Sequence, residues 1–164
     1  AEICQELNRW RRLYDPAYYV DLPPHILLVA ASRSLHRERI EQRLAALCAA
    51  FPAFEIELAG VGLHEDEHRL ICQIGAGSRQ LALLRDQLAA LEHPPLRIAR
   101  RRCWPGITLA KLRRQRSLRE AHASVCAGFA PGAWTAEGLV LFEERFGAAW
   151  HSVRVFPFAV RPSP

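Results

Sequence analysis

Apolar residues recur every three or four positions at the start of the chain, where Ile3, Leu7, Trp10 and Leu13 fall near one side. That spacing predicts a short amphipathic helix over 2–13. Pro16, Pro23 and Pro24 then break it and favour extended backbone. "HILLVAAS" is an unbroken apolar run of strand length, and "SLHRERIEQRLAALCAAF" returns to helical spacing through Leu35, Ile40, Leu44 and Leu47, with Ser34 as a start signal. "FEIELAGVGL" and "EHRLICQIG" flank the polar "HEDEH", which predicts a β-hairpin. "GAGSRQLALLRDQLAALEH" leads through glycines into a second helix with Ser78 as its N-cap, stopped by Pro94–Pro95. "PPLRIARRRCWPGITLAKL" reads as extended, "SLREAHASVCAGF" as a third main helix ending near Gly128, and "AWTAEGLVLFEERFG" with "AAWHSVRVFPFAV" as a last hairpin.

The order strand, helix, hairpin comes round twice. "PPHILLVA" at 23–30 overlays "WPGITLAK" at 104–111: Pro24 meets Pro105, Ile26 meets Ile107 and Leu28 meets Leu109. Two positions differ, His25 against Gly106 and Leu27 against Thr108. A repeated α+β pattern with sequential hairpins predicts two pseudo-symmetric lobes, each an antiparallel sheet with helices outside, around a central cleft. We expect one bilobal domain over 1–164, with lobes at 25–92 and 95–160, and the His25 and Thr108 strands as partners lining the cleft.

Composition narrows the partners. The chain has 164 residues, 50% hydrophobic and 24% charged, enough to bury a core. No apolar run approaches the ~18 residues of a membrane span, and no signal-peptide pattern opens the chain, so no membrane partner is expected. Five scattered cysteines without a CxxC pair read as reduced thiols of a cytoplasmic protein. A net charge of +5, with arginine clusters at 9–12, 97–102 and 111–116, favours polyanions such as RNA or nucleotides. The alternative is an arginine-rich solvated face. Arg102, Lys111 and Arg113 surround the second motif with Trp104 among them, and Tyr18 and Tyr19 precede the first. Cations beside an aromatic platform suit a phosphate and a stacked base, which makes these six the candidate substrate-binding residues.

Three other patterns carry little chemistry. "HEDEH" fits the H-E-x-x-H zinc pattern, but that chemistry needs a helix and this stretch reads as a hairpin turn. "GAGSRQ" lacks the third glycine of a dinucleotide loop, with Gln80 in its place. The serines and cysteines lack an activating context for covalent catalysis. No metal and no cofactor is expected.

The two aligned motifs, the closing "GLVLFEERFGAAWHSVRVFPF" and the opening "NRWRRLYDPAYYVDLPPH" together resemble the 2H phosphoesterase superfamily, which includes the 2′-5′ RNA ligase-like proteins and RNA 2′,3′-cyclic phosphodiesterases. The resemblance spans essentially the whole chain. It implies two H-x-[ST] motifs, one per lobe, in which i and i+2 of a strand place an imidazole and a hydroxyl side by side. One histidine then serves as general base and the other as general acid, while the hydroxyls stabilise charge on the phosphoryl oxygens. Imidazole suits both roles because it titrates near neutrality.

This chain keeps His25 but has Leu27 at the first hydroxyl position, and keeps Thr108 but has Gly106 at the second histidine position. His25 and Thr108 are therefore the candidate catalytic residues. Loss of one general acid or base removes roughly 10²–10⁴-fold, and loss of a donor roughly another 10²–10³. Three readings stay open. The first is a monomeric binder of RNA ends or cyclic and other nucleotide phosphates with weak or lost catalysis. The second is an active cyclic phosphodiesterase in which another group, such as His36, His64, His68, His93, His122 or His151, replaces the second histidine. The third is a protein-interaction module. Gly106 itself reads either as drift or as space for a bulkier ligand.

Overall fold

The computed structural model describes residues 2–16, 22–29, 37–91, 105–144 and 150–160. Helix α1 spans Glu2–Tyr14 and buries Leu7, Trp10 and Arg11. Its apolar stripe runs from Ile3 through Leu7 and Trp10 to Tyr14, so Leu13, expected on that stripe, is left 62% exposed at its edge. Helix α2 spans Arg37–Ala50 and buries Leu44 and Cys48; its predicted start at Ser34 lies outside the described residues.

Strands β1 (Phe54–His64) and β2 (Arg69–Ile74) form the predicted hairpin around a 3₁₀ turn at Glu65–Glu67. Helix α3 (Ser78–Ala89) follows. Its N-cap is Gly77, with φ of 85° and no side-chain cap, rather than Ser78. Glycine is required there because a Cβ would sit 2.5 Å from the Glu55 carbonyl oxygen. Then come β3 (Gly106–Lys111), α4 (Gln115–Gly128), β4 (Ala133–Ala136), β5 (Gly138–Glu144) and β6 (Trp150–Pro157).

The fold is α+β with antiparallel sheets, one four-stranded in the order β3-β2-β1-β4 and one a β5-β6 hairpin. "AWTA", expected in the last hairpin, instead forms β4 and pairs with the first half of β1. The four-stranded sheet thus crosses between the segments 25–92 and 95–160. Helix α4, from the second segment, packs on β1 and β2 of the first, while α2 packs on β6. The backbone amide of Ala159 donates to Phe51 O at 2.8 Å, and that of Ala53 to Ala159 O at 3.1 Å, joining the end of the last hairpin to the chain ahead of β1.

Alternation within the strands explains the core. Leu70 and Cys72 of β2, with Ile107 and Leu109 of β3, are buried against Leu118, Ala121 and Val125 of α4 and Leu7 and Trp10 of α1. A second cluster joins Leu44 and Cys48, Phe51, Phe54 and Ile56, Leu81 and Leu84, and Phe156 and Phe158. Ile26, Ile74 and Trp134 lie against both. Helices α1 and α4 cover one face of β1, β2 and β3, and the intervening side chains emerge on the other. Among the described residues no helix is long and apolar enough to cross a membrane.

Candidate functional site

The two motif strands are neighbours. Ile26 forms an isolated antiparallel bridge with Ile107, on the edge of β3 away from β2. An antiparallel register through that pair sets His25 beside Thr108 and Leu27 beside Gly106. Ile107 is buried and Ile26 lies against both core clusters, so the flanking residues project onto the opposite, site face. The retained imidazole and the retained hydroxyl thus form one cross-strand pair, and the two departures form the other.

The kept pair is half-buried on both sides. His25 Nδ1 lies 2.9 Å from Pro23 O. A carbonyl only accepts, so Nδ1 carries the proton of the neutral ring and Nε2 is its open acceptor. In the lost pair, Leu27 is 61% exposed. A Cβ at Gly106 would lie 2.5 Å from Ile71 Cγ2 and 2.8 Å from Cys72 O. The space a histidine side chain would need is filled by the neighbouring strand.

Strand register extends the face into three rungs. Thr108 pairs with Ile71, and Ile71 with Gly62. Gly106 pairs with Gln73, and Gln73 with Gly60. Lys111 pairs with Arg69, and Arg69 with His64. Lys111 reaches this face through an irregularity: Leu70 pairs with Ala110 but Ile71 with Thr108, so β3 carries one extra residue. Both Leu109 and Ala110 consequently point into the core, each 0% exposed, and Lys111 returns to the side of Thr108. Re-aiming a side chain is what a β-bulge does. Arg69 Nη1 sits 3.5 Å from a Glu67 carboxylate oxygen.

Lys111 is therefore brought to His25 and Thr108 on one sheet face. Arg113 is exposed in the turn after β3, off the paired rungs. Tyr18, Tyr19, Arg102 and Trp104 lie outside the described residues, as do His36, His93 and Cys103. Among the remaining histidines, His64 shares the face but stands two rungs from Gly106 on the far side of β2. His68 sits in the hairpin turn with φ of 53°. His122 on α4 hydrogen-bonds through Nε2 with Val61 O at 3.1 Å, and His151 pairs with Glu143 in the last hairpin. None of these four stands beside Gly106. Arg69 and His64 share this face by strand alternation and by their pairing with each other, a register that the sequence does not disclose.

"HEDEH" ends a strand and turns a hairpin, so it lacks the helix that brings two zinc ligands together. Its Glu65 accepts from Arg119 Nε at 2.8 Å, and that hydrogen bond holds the carboxyl below the ordinary carboxylate range. Among the described residues no three His, Cys, Asp or Glu side chains gather to hold a metal ion.

An antiparallel α+β scaffold whose paired motif strands present a histidine beside a hydroxyl on an open sheet face is that of a 2H phosphoesterase. The sequence agrees: the model of the 2′-5′ RNA ligase superfamily matches residues 1–147, and the chain belongs to this family. No curated protein matches it. The solved structure of TT0787 of Thermus thermophilus superposes with a TM-score of 0.62 at 17% identity, over 96% of this chain and 92% of that one. Escherichia coli LigT complexed with ATP gives 0.58 at 18% identity, and LigT complexed with NADP+ gives 0.62 at 16%, each over the same 96% and 92%. At these identities the likeness is one of fold.

Proposed function

We propose that the protein binds the phosphate of an RNA end or a nucleotide, cyclic phosphates included, in the cleft over His25 and Thr108, and that its phosphodiesterase activity is weak or lost. The pairing of His25 with Thr108 across the Ile26–Ile107 bridge carries this reading. An imidazole and a hydroxyl side by side supply two donors to phosphoryl oxygens once the ring is protonated. The other pair, Leu27 and Gly106, offers neither a proton carrier nor a donor. In-line displacement at phosphorus needs a base on the attacking oxygen and an acid on the leaving one; a single histidine covers one side. Nucleotides fit as the ligand class, since E. coli LigT has been solved with ATP and with NADP+. The four described cysteines are free thiols, which suits work in the reducing cytoplasm; we take the protein to act there as a monomer.

A second reading has one observation in its favour. The Pro23 carbonyl holds the His25 ring with Nε2 open, the tautomer that a general base requires. A slow, one-histidine phosphodiesterase is the alternative.

The test pairs binding with turnover on purified protein. Nucleoside 2′,3′-cyclic phosphates and 3′-monophosphates are expected to bind with an affinity that falls as salt rises. His25→Ala weakens that binding about tenfold and Thr108→Val about fivefold, with hydrolysis by the parent near background. Hydrolysis that disappears in His25→Ala would establish the one-histidine enzyme instead. Absence of any nucleotide affinity would leave the protein-interaction reading.

A further inference from the structure

We infer that Gln73 is the specificity-determining residue of this cleft: its side-chain amide reads the edge of the planar ring carried by a ligand whose phosphate lies on His25 and Thr108. The inference rests on the phosphate reading of that pair and adds the group that tells one base from another.

Register isolates Gln73. It pairs with Gly60 on one side and Gly106 on the other, so no second side chain stands on its rung across β1, β2 and β3. Leu70 and Cys72 are buried and Ile74 packs against both core clusters, which sends Ile71 and Gln73 to the site face. Gln73 is exposed there. Cross-strand neighbours are what usually engage a polar side chain on an open sheet face, and two glycines supply none. Among the described residues the amide has no hydrogen-bond partner. Two donors and an acceptor therefore stand open to a ligand.

The side chain leaves its own rung. A Cβ at Gly62 would sit 2.5 Å from Gln73 Nε2 and 3.0 Å from its Cδ, which places the amide over Gly62, diagonally across to β1. Gly62 pairs with Ile71 and Ile71 with Thr108. The amide thus lies on the Thr108 rung, two strand spacings from β3, about 10 Å. The backbone does not demand a glycine at 62, since positive φ among the described glycines is confined to Gly60 and Gly77. Nor does the core: the atoms nearest to its missing Cβ all belong to Gln73. A glycine inside a strand gives up packing and marks a close approach. Here the gap is used by the amide.

The order of groups along the rung defines the ligand. Ile71 lies between the two ends, half-buried, with Cγ2 leaning over Gly106. From Thr108 outward the face offers a hydroxyl, then apolar surface, then a free amide. A nucleoside monophosphate carries matching groups in that order: a phosphate, a sugar, and a flat ring with donors and acceptors on its edge. A phosphate ester without a base ends short of the amide. Adenine suits an amide best, because glutamine meets its amino group and a ring nitrogen with two hydrogen bonds at once.

The test compares the 3′-monophosphates of adenosine, guanosine, cytidine and uridine with the baseless ester glycerol 2-phosphate. Binding is followed by NMR titration for the parent, Gln73→Leu, Gly62→Ala and His25→Ala. The parent is expected to hold adenosine 3′-monophosphate about fivefold more tightly than the other three, and all four more tightly than the ester. Gln73→Leu keeps the bulk and removes the amide; it should bring the four nucleotides within about twofold of one another and leave the ester unchanged. Gly62→Ala displaces the amide without altering it and should level the four as well. A structural role for Gln73 would instead move ester and nucleotides together, and that result would overturn the inference. So would a parent without the adenine preference, or a preference that survives Gln73→Leu. His25→Ala should weaken the ester and all four nucleotides by one common factor and keep their order. An ester that fails to bind the parent, or binds His25→Ala equally well, would strike the underlying phosphate reading, and this inference would fall with it.

Discussion

At the scale of single residues, Gly106 is the position on which the family's chemistry turns. The substitution that would restore a second histidine on paper is the one the sheet refuses. A Cβ there lies 2.8 Å from the Cys72 carbonyl oxygen and 2.5 Å from the Ile71 methyl, and the first of these is backbone that cannot step aside. Gly106→His is expected to destabilise by about 1–3 kcal/mol, the usual cost of overpacking, as read by urea denaturation. It should give no hydrolysis of cyclic phosphates above the parent. A stable, active Gly106→His would show that β2 and β3 part readily and that the loss of the second histidine is reversible in one step. Leu27 is the contrasting case. It stands opposite, 61% exposed, so Leu27→Thr returns the missing hydroxyl without steric cost and should leave stability within about 0.5 kcal/mol of the parent.

At the scale of elements, α2 and the β5-β6 hairpin are clasped by ions as well as by the core. Arg37 donates to Glu41 at 2.7 Å and lies 3.6 Å from Glu143, while Arg154, whose guanidinium covers the Phe156 ring, donates to Glu41 at 3.1 Å. Hydrogen bonds from Arg37 first and Arg154 second hold the Glu41 carboxyl below its ordinary value of 4.5. A depressed folded-state pKa contributes stability that is complete above the ordinary value and is lost as pH falls through the lowered one. Amides of β5 and β6 should therefore lose hydrogen-exchange protection as pH drops below about 4.5, and Arg154→Ala should flatten that dependence. The effect is modest because the pairs are solvated; an identical acid profile in the variant would remove the clasp from the account.

These same elements divide what the sequence discloses from what it hides. Helical spacing located α1, α2, α3 and α4, and the polar "HEDEH" between two apolar runs located the first hairpin, because each is a local pattern. Partner choice is not local. "AWTA" carries nothing that distinguishes an arm of the last hairpin from β4 against Phe54–Glu57. The duplication of "PPHILLVA" and "WPGITLAK" marked the motif strands, yet only their register discloses that His25 faces Thr108. Lys111 was legible as a cation beside the second motif, but its pairing with Arg69 was not, since a bulge leaves no signature in "GITLAK".

At the scale of the whole molecule, the question is whether two clusters of buried side chains behave as one body. Cys72 belongs to the cluster under α1 and α4, and Cys48 to the one under α2 and α3. Burial pushes the Cys72 thiol up to about 12 and the Cys48 thiol up to about 11. Near pH 8 neither presents a useful thiolate while folded, so alkylation of each reports the opening of its own cluster. Cys4 and Cys126 are exposed and label in the native state. Ile26, Ile74 and Trp134 pack against both clusters, and β1 runs through both with Leu58 in one and Phe54 and Ile56 in the other. Shared packing of this kind should make unfolding cooperative. Labelling of Cys48 and Cys72 along a urea series, resolved by peptide mass, should therefore follow one coincident transition. Trp134→Ala removes the largest shared side chain and should pull the two midpoints apart. Separate midpoints in the parent would mean that the clusters open independently, and the packing of Ile26, Ile74 and Trp134 would then be a joint between two bodies instead of the inside of one.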